Sequence, residues 1–367
     1  MEFGIFSNGF RPHSTAAESY AEDIREIVLA DELGFRDAYI SEHHGEPPHI
    51  GKVDTIPVPD LLICKAAGLT RNIRMGSAVK LIHLQHPVDV AIQAAVTDHL
   101  LGPGLLGAGR YIFGFGTGFS APRFSEERGL SFDDRQARLM ESLQIIQQCW
   151  QTEQPFDVDG RFWKGKGILA LPKPLAAQGP PMATATHSDA MLKIAGEHGY
   201  TLLFAFLDQP QLINARVEKY NDFAAAAGRP RSRKNVTVSR LVYIADSREQ
   251  AIEDLRDAVA YEVGVQAQRG FLAMLKRNYN IDVPNDRSAI DVLAGSGLYV
   301  LGTAEEVTRQ LEDFYHQCGG FGTLLIVAGK SWANSEKRAR SMRAFMQDVA
   351  PKLRLLDDAQ TQLATAE

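Results

Sequence analysis

The sequence predicts an α/β fold, a closed (β/α)8 TIM-like barrel with insertions at its C-terminal rim. Strand-like and helix-like segments alternate about eight times along the 367 residues, and this rhythm favours a barrel over an open doubly wound sheet. The first unit joins an apolar strand at 3–7 to a second strand at 37–41 through a helix, which implies a parallel sheet. No Gly-x-Gly-x-x-Gly pattern follows the first strand, so a Rossmann fold is disfavoured.

The helix of this first unit has recognisable start and stop signals. The segment 14–18 is typical of a helix start, with Ser14 or Thr15 as the cap and Glu18 near the third position, as in a capping box. Ile24 and Ile27 have helical spacing, and Gly34 is placed to close the helix as a C-cap.

The remaining elements follow from the same patterns of apolar spacing and turn residues. Further strands are predicted at 73–79, 111–116, 181–185, 202–206, 236–245 and 323–328, with a short extended element at 297–302. Helices are predicted to begin near residues 60, 88, 132, 190, 209, 249, 304 and 335, and a glycine-rich turn spans 101–109. We expect one domain over 1–355, with insertions near 151–180 and 264–296, the second of them either a plain insertion or a lid, and a frayed tail over 356–367.

Composition narrows the class of protein. Apolar residues make up 45% and charged residues 23%, which is enough for an ordinary core. A formal charge of -6 argues against nucleic acid as a partner, since phosphate binding needs a basic surface. The sequence shows neither a signal-peptide pattern nor an apolar run of the roughly 18 residues that a membrane span requires. Cys64, Cys149 and Cys318 lack disulfide or zinc spacing, so we expect a reducing, cytoplasmic setting.

The most informative stretch is Glu42-His43-His44, which directly follows the apolar strand at 37–41. The C-terminal ends of barrel strands are where such folds keep their chemistry. Histidine is the side chain whose ordinary pKa lies nearest neutrality, which suits it to proton transfer. A single histidine there would more often be structural, but three consecutive ionisable residues favour a functional site.

Three other predicted strand ends carry unusual residues, and in a barrel all would face the same mouth. They are Ser77-Ala78-Val79, Gly116-Thr117-Gly118 and Thr186-His187-Ser188-Asp189. The last opens a helix, whose free N–H groups bind phosphate readily, although Ser188 and Asp189 also fit a simple N-cap pair. The two glycines would let a flat ring or a phosphate approach the backbone, although a plain turn explains them equally.

The chain resembles the luciferase-like flavin-dependent monooxygenases over about residues 1–330, most of all the branch of limonene-type and type II Baeyer–Villiger diketocamphane enzymes. The matching segments are Glu42-His43-His44, Ile73-Arg74-Met75-Gly76-Ser77-Ala78, His86-Pro87, Gly109-Arg110-Tyr111, Gly114-Phe115-Gly116-Thr117-Gly118, Ala195-Gly196-Glu197-His198-Gly199, Ile244-Ala245-Asp246 and Gly302-Thr303-Ala304-Glu305-Glu306-Val307. Each motif is weak alone, but the set is specific.

This resemblance implies an enzyme that uses reduced FMN and O2, through a C4a-peroxyflavin, to oxygenate a small hydrophobic substrate such as a terpenoid or cyclic ketone. His43 matches the histidine that assists the flavin–oxygen chemistry, and Ala78-Val79 matches a cis peptide that supports the flavin ring. His187 and Ser188 match the flavin phosphate site. Gly116 and Thr117 replace a cysteine and an arginine of bacterial luciferase, which argues against light emission and long-chain aldehyde oxidation.

The predicted site can be stated residue by residue. The predicted catalytic residues are His43 and His44, and the predicted cofactor-binding residues are Ser77, Ala78, Val79, Gly116, Thr117, Gly118, His187 and Ser188. An apolar rim that excludes water is expected from Phe10, Phe115, Phe119, Phe204 and Phe206. Because the chain shows no nicotinamide domain, we expect a separate NAD(P)H:flavin reductase as partner. The resemblance also implies a homodimer, with the helices at 88–100 and 132–150 as candidate interfaces.

Three alternatives stay open. The first is an F420-dependent oxidoreductase on the same barrel, which would need no oxygen. The second is a non-catalytic flavin-binding paralogue, against which His43 argues. The third, a metal-dependent hydrolase using His43 and His44, is disfavoured because adjacent residues of a strand diverge.

Overall fold

The computed structural model describes residues 1–11, 14–44, 56–104, 109–118, 122–268 and 270–356. Several sequence predictions fall outside these residues: the loop that begins at Gly45, the centre of the glycine-rich turn at 105–108, Phe119 of the expected apolar rim, and the tail at 357–367. 

The chain alternates between strands and helices, as the sequence predicts. The strands are β1 (Glu2–Ser7), β2 (Asp37–Ile40), β3 (Arg74–Ser77), β4 (Tyr111–Phe115), β5 (Phe156–Asp159), β6 (Lys164–Ile168), β7 (Met182–Thr184), β8 (Thr201–Phe204), β9 (Val236–Ile244), β10 (Tyr299–Gly302) and β11 (Thr323–Val327). The helices are α1 (Ala16–Leu33), α2 (Pro59–Ala67), α3 (Pro87–Leu101), α4 (Pro122–Glu126), α5 (Arg135–Gln151), α6 (Asp189–His198), α7 (Pro210–Ala226), α8 (Arg248–Ala267), α9 (Phe271–Tyr279), α10 (Ala289–Ala294), α11 (Ala304–Gln317) and α12 (Ser335–Ala344).

Eight of the strands close into a parallel barrel in the order β1, β2, β3, β4, β7, β8, β9 and β11. The ring closes where β11 pairs with β1, which sets Phe3 opposite Leu324, and where β8 pairs with β9. The predicted TIM-like (β/α)8 fold is therefore confirmed. All eight C-terminal strand ends face one mouth, because parallel strands point in one direction.

The extended element predicted at 297–302 is a strand, β10, but it lies outside this ring. It pairs with the carboxyl half of β9, with Tyr299 opposite Leu241, whereas β11 pairs with the amino half of β9 from Thr237 onward. The nine-residue β9 therefore continues beyond the barrel wall and carries an outer layer built from α8, α10 and β10.

Alternation along the strands divides the apolar core into two layers. The layer between strands and helices includes Phe3, Ile5, Tyr111, Phe113 and Phe115. The layer inside the barrel, which we call the interior cluster, is smaller. It consists of Tyr39, Val79, Leu81, Leu84, Ile112, Phe124, Ala183, Leu203 and Leu325, with Phe6, Ala78 and Leu130 packed against it.

The local signals for α1 act as the sequence predicts. Thr15 accepts from the backbone N–H of Glu18 at 3.2 Å, and the Glu18 carboxylate accepts from the N–H of Thr15 at 2.7 Å, which completes the capping box. Gly34 closes the helix with φ 82°, a left-handed conformation that glycine adopts without a side-chain clash.

Two stretches contain elements that the sequence patterns did not reveal. Within 151–180, β5 and β6 form an antiparallel hairpin outside the barrel sheet. The hairpin is held to α5 because the Glu141 carboxylate accepts from the backbone N–H groups of Phe162 and Trp163. Within 264–296, where apolar periodicity is weak, the chain ends α8 and then forms α9 and α10.

The outer layer is attached to the barrel through Trp332, which follows β11 and is fully buried. Its ring stacks on Tyr299 at 5.4 Å, and its Nε1 donates to the Glu262 carboxylate of α8 at 3.2 Å. Ser331 donates to the same carboxylate at 2.7 Å. Burial raises the pKa of Glu262 to about 7, although the two hydrogen bonds oppose that shift.

Replacing Glu262 with glutamine is expected to stabilise the protein at pH 8 but not at pH 5. A carboxyl whose folded pKa is raised binds its proton more tightly in the folded state, so its contribution to stability falls as pH rises from about 4.5 to about 7. Glutamine keeps an acceptor and removes the charge, which gives a gain of up to about 3 kcal/mol above pH 7, at roughly 1.36 kcal/mol per pKa unit. Urea unfolding at pH 5 and pH 8 measures the change in the free energy of unfolding. An equal change at both pH values would contradict the prediction.

No helix among the described residues is long and apolar enough to span a lipid bilayer.

Candidate active site

The C-terminal ends of β2, β3, β4 and β7 lie next to one another, as predicted for the four unusual strand ends. Glu42, after β2, accepts from the backbone N–H of Leu81, after β3, at 3.0 Å. The Gly116 N–H, after β4, donates to the Lys80 carbonyl at 3.1 Å. A Cβ on Gly116 would lie 2.9 Å from the Val79 side chain and 3.1 Å from the Ala185 carbonyl, which shows how closely these ends are packed.

The Glu42 carboxylate is the centre of the contacts after β2. Its side chain is 1% exposed, and its second oxygen lies 2.9 Å from Nε2 of His44. The Nδ1 atom of His44 lies 3.4 Å from Arg128, a side chain that only donates. His44 therefore accepts at Nδ1 and donates from Nε2 to Glu42, and its ring also packs 5.2 Å from Phe124 of α4.

His43 lies beside this cluster and is half-buried. Its backbone N–H donates to the Ile56 carbonyl at 3.1 Å. Ile56 also packs closely against Gly9 in the loop after β1. The loops after β1 and β2 thus hold the backbone of His43 at the mouth.

The segment after β3 has the expected backbone geometry, because the peptide bond between Ala78 and Val79 is cis. The Ala78 N–H donates to the Ile40 carbonyl at 2.8 Å, and the Lys80 N–H donates to the Gly114 carbonyl at 2.8 Å. Ala78 is half-buried and Val79 is buried. Hydrogen bonds to both neighbouring strands therefore hold this segment at the rim.

Ser77 was predicted with these residues, but its side chain faces away from the barrel interior. Its hydroxyl donates at 3.3 Å to Asp60 in the first turn of α2. Successive strand residues point to opposite faces, so Ser77 lies on the helix side whereas Ala78 packs with the interior cluster.

The ends of β4 and β7 carry the other predicted residues. Thr117 is half-buried and accepts from Gln136 of α5 at 3.4 Å, and Gly118 is exposed with φ 56°. Ser188 occupies the N-cap position of α6, and its N–H donates to the Thr186 hydroxyl at 3.0 Å. His187 precedes it and is exposed, so the first turn of α6 opens toward solvent beside this rim.

His83 is a buried residue of this region that the sequence analysis did not select. It lies in a single 3-10 turn at Ile82–Leu84 and is fully buried. Burial lowers the pKa of His83 to about 4, and the charges of Arg138 and Arg135 act in the same direction. The ring is therefore neutral near pH 7.

The expected aromatic rim is corrected in part. Phe115 and Phe204 pack in the layer between strands and helices, because each falls on the helix-facing side of its strand. Phe10 is buried beside Val265 of α8, with its ring stacked on Tyr261 at 6.4 Å, and Phe206 packs against the outer layer. The apolar surface inside the mouth comes instead from the interior cluster defined above.

Within the described ranges, no three His, Cys, Asp or Glu side chains are grouped to share a metal ion.

Comparisons with known proteins agree with this architecture. A sequence model of the luciferase-like monooxygenases matches residues 1–320. The 4-hydroxyprotoasukamycin monooxygenase of Streptomyces nodosus subsp. asukaensis is 29% identical, with 96% of this chain and 92% of that protein covered. Limonene 1,2-monooxygenase of Rhodococcus erythropolis is 27% identical, with 96% and 86% covered.

A solved structure shares the fold over nearly its whole length. The oxygenating constituent of 3,6-diketocamphane monooxygenase from Pseudomonas putida, in complex with FMN, superposes with a TM-score of 0.81. The two chains are 23% identical, and the match covers 96% of this chain and 98% of that one.

Proposed function

The chain belongs to the luciferase-like monooxygenase family, whose model covers most of its length, and from this premise we propose that it uses reduced FMN and O2 to oxygenate a small hydrophobic compound. The observation that carries the proposal is the rim where Glu42, the Ala78–Val79 segment and Gly116 meet. The relatives named for limonene and for a diketocamphane are the reason for proposing a terpenoid or cyclic ketone as substrate.

The residues of this rim fit a flavin. Ala78 is half-buried and carries only a methyl side chain, so a flat ring can approach the backbone there. The first turn of α6, with His187 and Ser188, would bind the phosphate through its backbone N–H groups and positive partial charge. When bound, reduced FMN would supply the electrons that activate O2.

The residues of this chain would position the flavin and the substrate and exclude water from both. The interior cluster, with Tyr39, Val79 and Leu81, offers an apolar surface to the substrate. We propose that His43 holds or delivers a proton at the flavin, because histidine is the side chain that most often acts as a general acid or base. His44 would hold the Glu42 side chain in place next to His43 and would not react with the substrate, since Glu42 and Arg128 contact both of its ring nitrogens.

We also propose that a separate NAD(P)H:flavin reductase supplies the reduced FMN. The solved relative is described as an oxygenating constituent, which fits a division of labour between two proteins. An F420-dependent oxidoreductase is the alternative, and it differs in binding a deazaflavin and in needing no oxygen.

Anaerobic titration with reduced FMN, followed by a pulse of O2, tests the proposal. Saturable binding and an oxygen-dependent transient in the absorbance of the bound flavin are the expected results. Binding of F420 without binding of FMN would replace the oxygenase with a hydride-transfer enzyme. Binding of FMN without any oxygen-dependent transient would favour a non-catalytic flavin protein.

We further propose a homodimer that forms through α3 and the segment at 169–175. The segment lies beside α3 because His99 donates to the Lys173 carbonyl at 2.8 Å. Leu100 and Leu171 are 61% and 57% exposed on this surface, and exposed apolar patches commonly mark protein interfaces. The other candidate helix, α5, instead exposes the polar side chains Gln144 and Gln148.

Leu100→Asp is expected to convert the dimer to a monomer, because it places a charge in an apolar contact. Light scattering coupled to size exclusion measures the mass of each variant. Leu355→Asp is the matched control, since Leu355 is 65% exposed in the last described helical turns, away from α3. A monomeric wild type, or a dimer that survives Leu100→Asp, would contradict the proposed interface.

A further inference from the structure

A buried group of polar side chains lies directly behind the segment that carries Ala78 and Val79. Asp60, in the first turn of α2, is 5% exposed. Its carboxylate accepts from the Ser77 hydroxyl at 3.3 Å and from the Tyr111 hydroxyl at 3.1 Å, and it forms an ion pair with Lys80. Asp60 therefore binds one donor at the carboxyl end of β3, one just after β3, and one, Tyr111, at the amino end of β4.

Lys80 is 1% exposed, and its ammonium group also donates to Gln93 of α3 at 3.2 Å. Burying an ion pair costs free energy that is recovered only when the geometry is good and the remaining protons are bonded. The ion pair therefore contributes little to the stability of the fold. It does constrain the positions of both side chains, because each must stay within reach of its hydrogen-bond donors and acceptors.

Ser77 and Lys80 flank Ala78 and Val79 on either side, and the side chains of both reach Asp60. The backbone of Lys80 is bonded to β4 on both sides, through the Gly114 carbonyl and the Gly116 N–H. On the mouth side, Glu42 holds the N–H of Leu81. With the strands and Glu42 in place, Asp60 of α2, together with Gln93 of α3, sets the position of the segment from the helix layer.

We propose that Asp60 and Lys80 are positioning residues for the flavin, acting through the Ala78–Val79 segment and without contact to the cofactor. This inference rests on the proposed function. It predicts that the charge and hydrogen bonds of a pair hidden behind the sheet determine how tightly the flavin ring is held at the mouth.

Anaerobic titration of Asp60→Asn and Lys80→Met with reduced FMN tests the proposal, with flavin absorbance and thermal unfolding as the two readouts. Both variants are expected to bind FMN about 10-fold more weakly, since each loses a buried charged hydrogen bond that holds the segment. A shifted absorbance spectrum of the bound flavin is expected as well. Ser77→Ala, which leaves the ion pair intact, should weaken binding less, and it serves if either charge variant fails to fold.

Asp37→Asn is the matched control because Asp37 is a buried carboxylate at the amino end of β2, away from the Ala78–Val79 segment. It accepts from Arg74 at 2.7 Å and from Arg36 at 2.9 Å, and it is 1% exposed. Asp37→Asn is expected to lower the unfolding temperature but to leave FMN affinity and spectrum unchanged.

One result would decide against the positioning role, and another would decide against the proposed function. If Asp60→Asn and Asp37→Asn lose similar stability and both bind FMN like the wild type, the pair is only structural. If the wild type binds F420 in place of FMN, the proposed function has failed. The same comparison made with F420 then decides whether Asp60 positions the ring-binding segment.

Discussion

His43→Ala is expected to bind reduced FMN about as tightly as the wild type while losing about 100- to 10,000-fold in oxygenation rate, the range typical of a lost general acid or base. We expect this loss because of the position of His43. Its side chain is half-buried at the mouth beside Glu42, and its backbone N–H donates to the Ile56 carbonyl. Oxygen consumed by the variant should appear as hydrogen peroxide, because electrons from reduced FMN then reduce O2 without oxygen transfer to substrate.

Stopped-flow absorbance after an O2 pulse, together with a peroxide assay, measures this effect. His86→Ala is the control, since His86 is an exposed histidine at the N-cap of α3 that packs on Trp163. A His43→Ala protein with wild-type transient lifetime and wild-type peroxide yield would remove His43 from the chemistry.

Glu26→Gln is expected to destabilise the protein by about 3–5 kcal/mol at pH 7, because it breaks a buried ion-pair network on one side only. Glu26 of α1 pairs with Lys330 after β11 and lies 3.1 Å from Arg338 of α12. Arg11, after β1, lies 3.5 Å away. The network joins the first and last units of the barrel. Asp23 also pairs with Arg11 at 3.1 Å and with Lys330 at 3.6 Å, so glutamine would leave the buried cations with one carboxylate fewer.

The same network gives the effect a defined pH dependence. Burial alone would raise the pKa of Glu26, but the charges of Lys330, Arg338 and Arg11 outweigh burial and lower it to about 2. A carboxyl with a depressed folded pKa contributes stability above its ordinary value of 4.5, and that contribution is lost as pH falls toward 2. The difference between wild type and Glu26→Gln should therefore shrink between pH 4.5 and pH 2.

Urea unfolding at pH 7 and at pH 3 measures both predictions. Glu197→Gln is the control, since its pair with Lys193 on α6 has both side chains exposed and such pairs contribute about 1 kcal/mol or less. Equal destabilisation by Glu197→Gln and Glu26→Gln would show that the network does not depend on burial.

The sequence by itself determined the fold class and the order of the elements, because these depend on local patterns. Helical spacing at Ile24 and Ile27, the caps at Thr15 and Gly34, and short apolar strand segments are all legible along the chain. Parallel strands share one direction, so the convergence of Glu42, Ala78 and Gly116 at one mouth followed from topology alone. The cis bond at Ala78–Val79 was reached only through resemblance to a family.

The tertiary structure alone decided which way individual side chains point and which distant residues meet. Short strands leave the starting face of the alternation undetermined from sequence, so Phe115 and Phe204 were expected at the mouth but pack under the helices. The contact of Asp60 with Lys80 spans 20 residues and that of His44 with Arg128 spans 84. Such contacts depend on how helices and loops pack on the closed barrel, a property that no local pattern in the chain records.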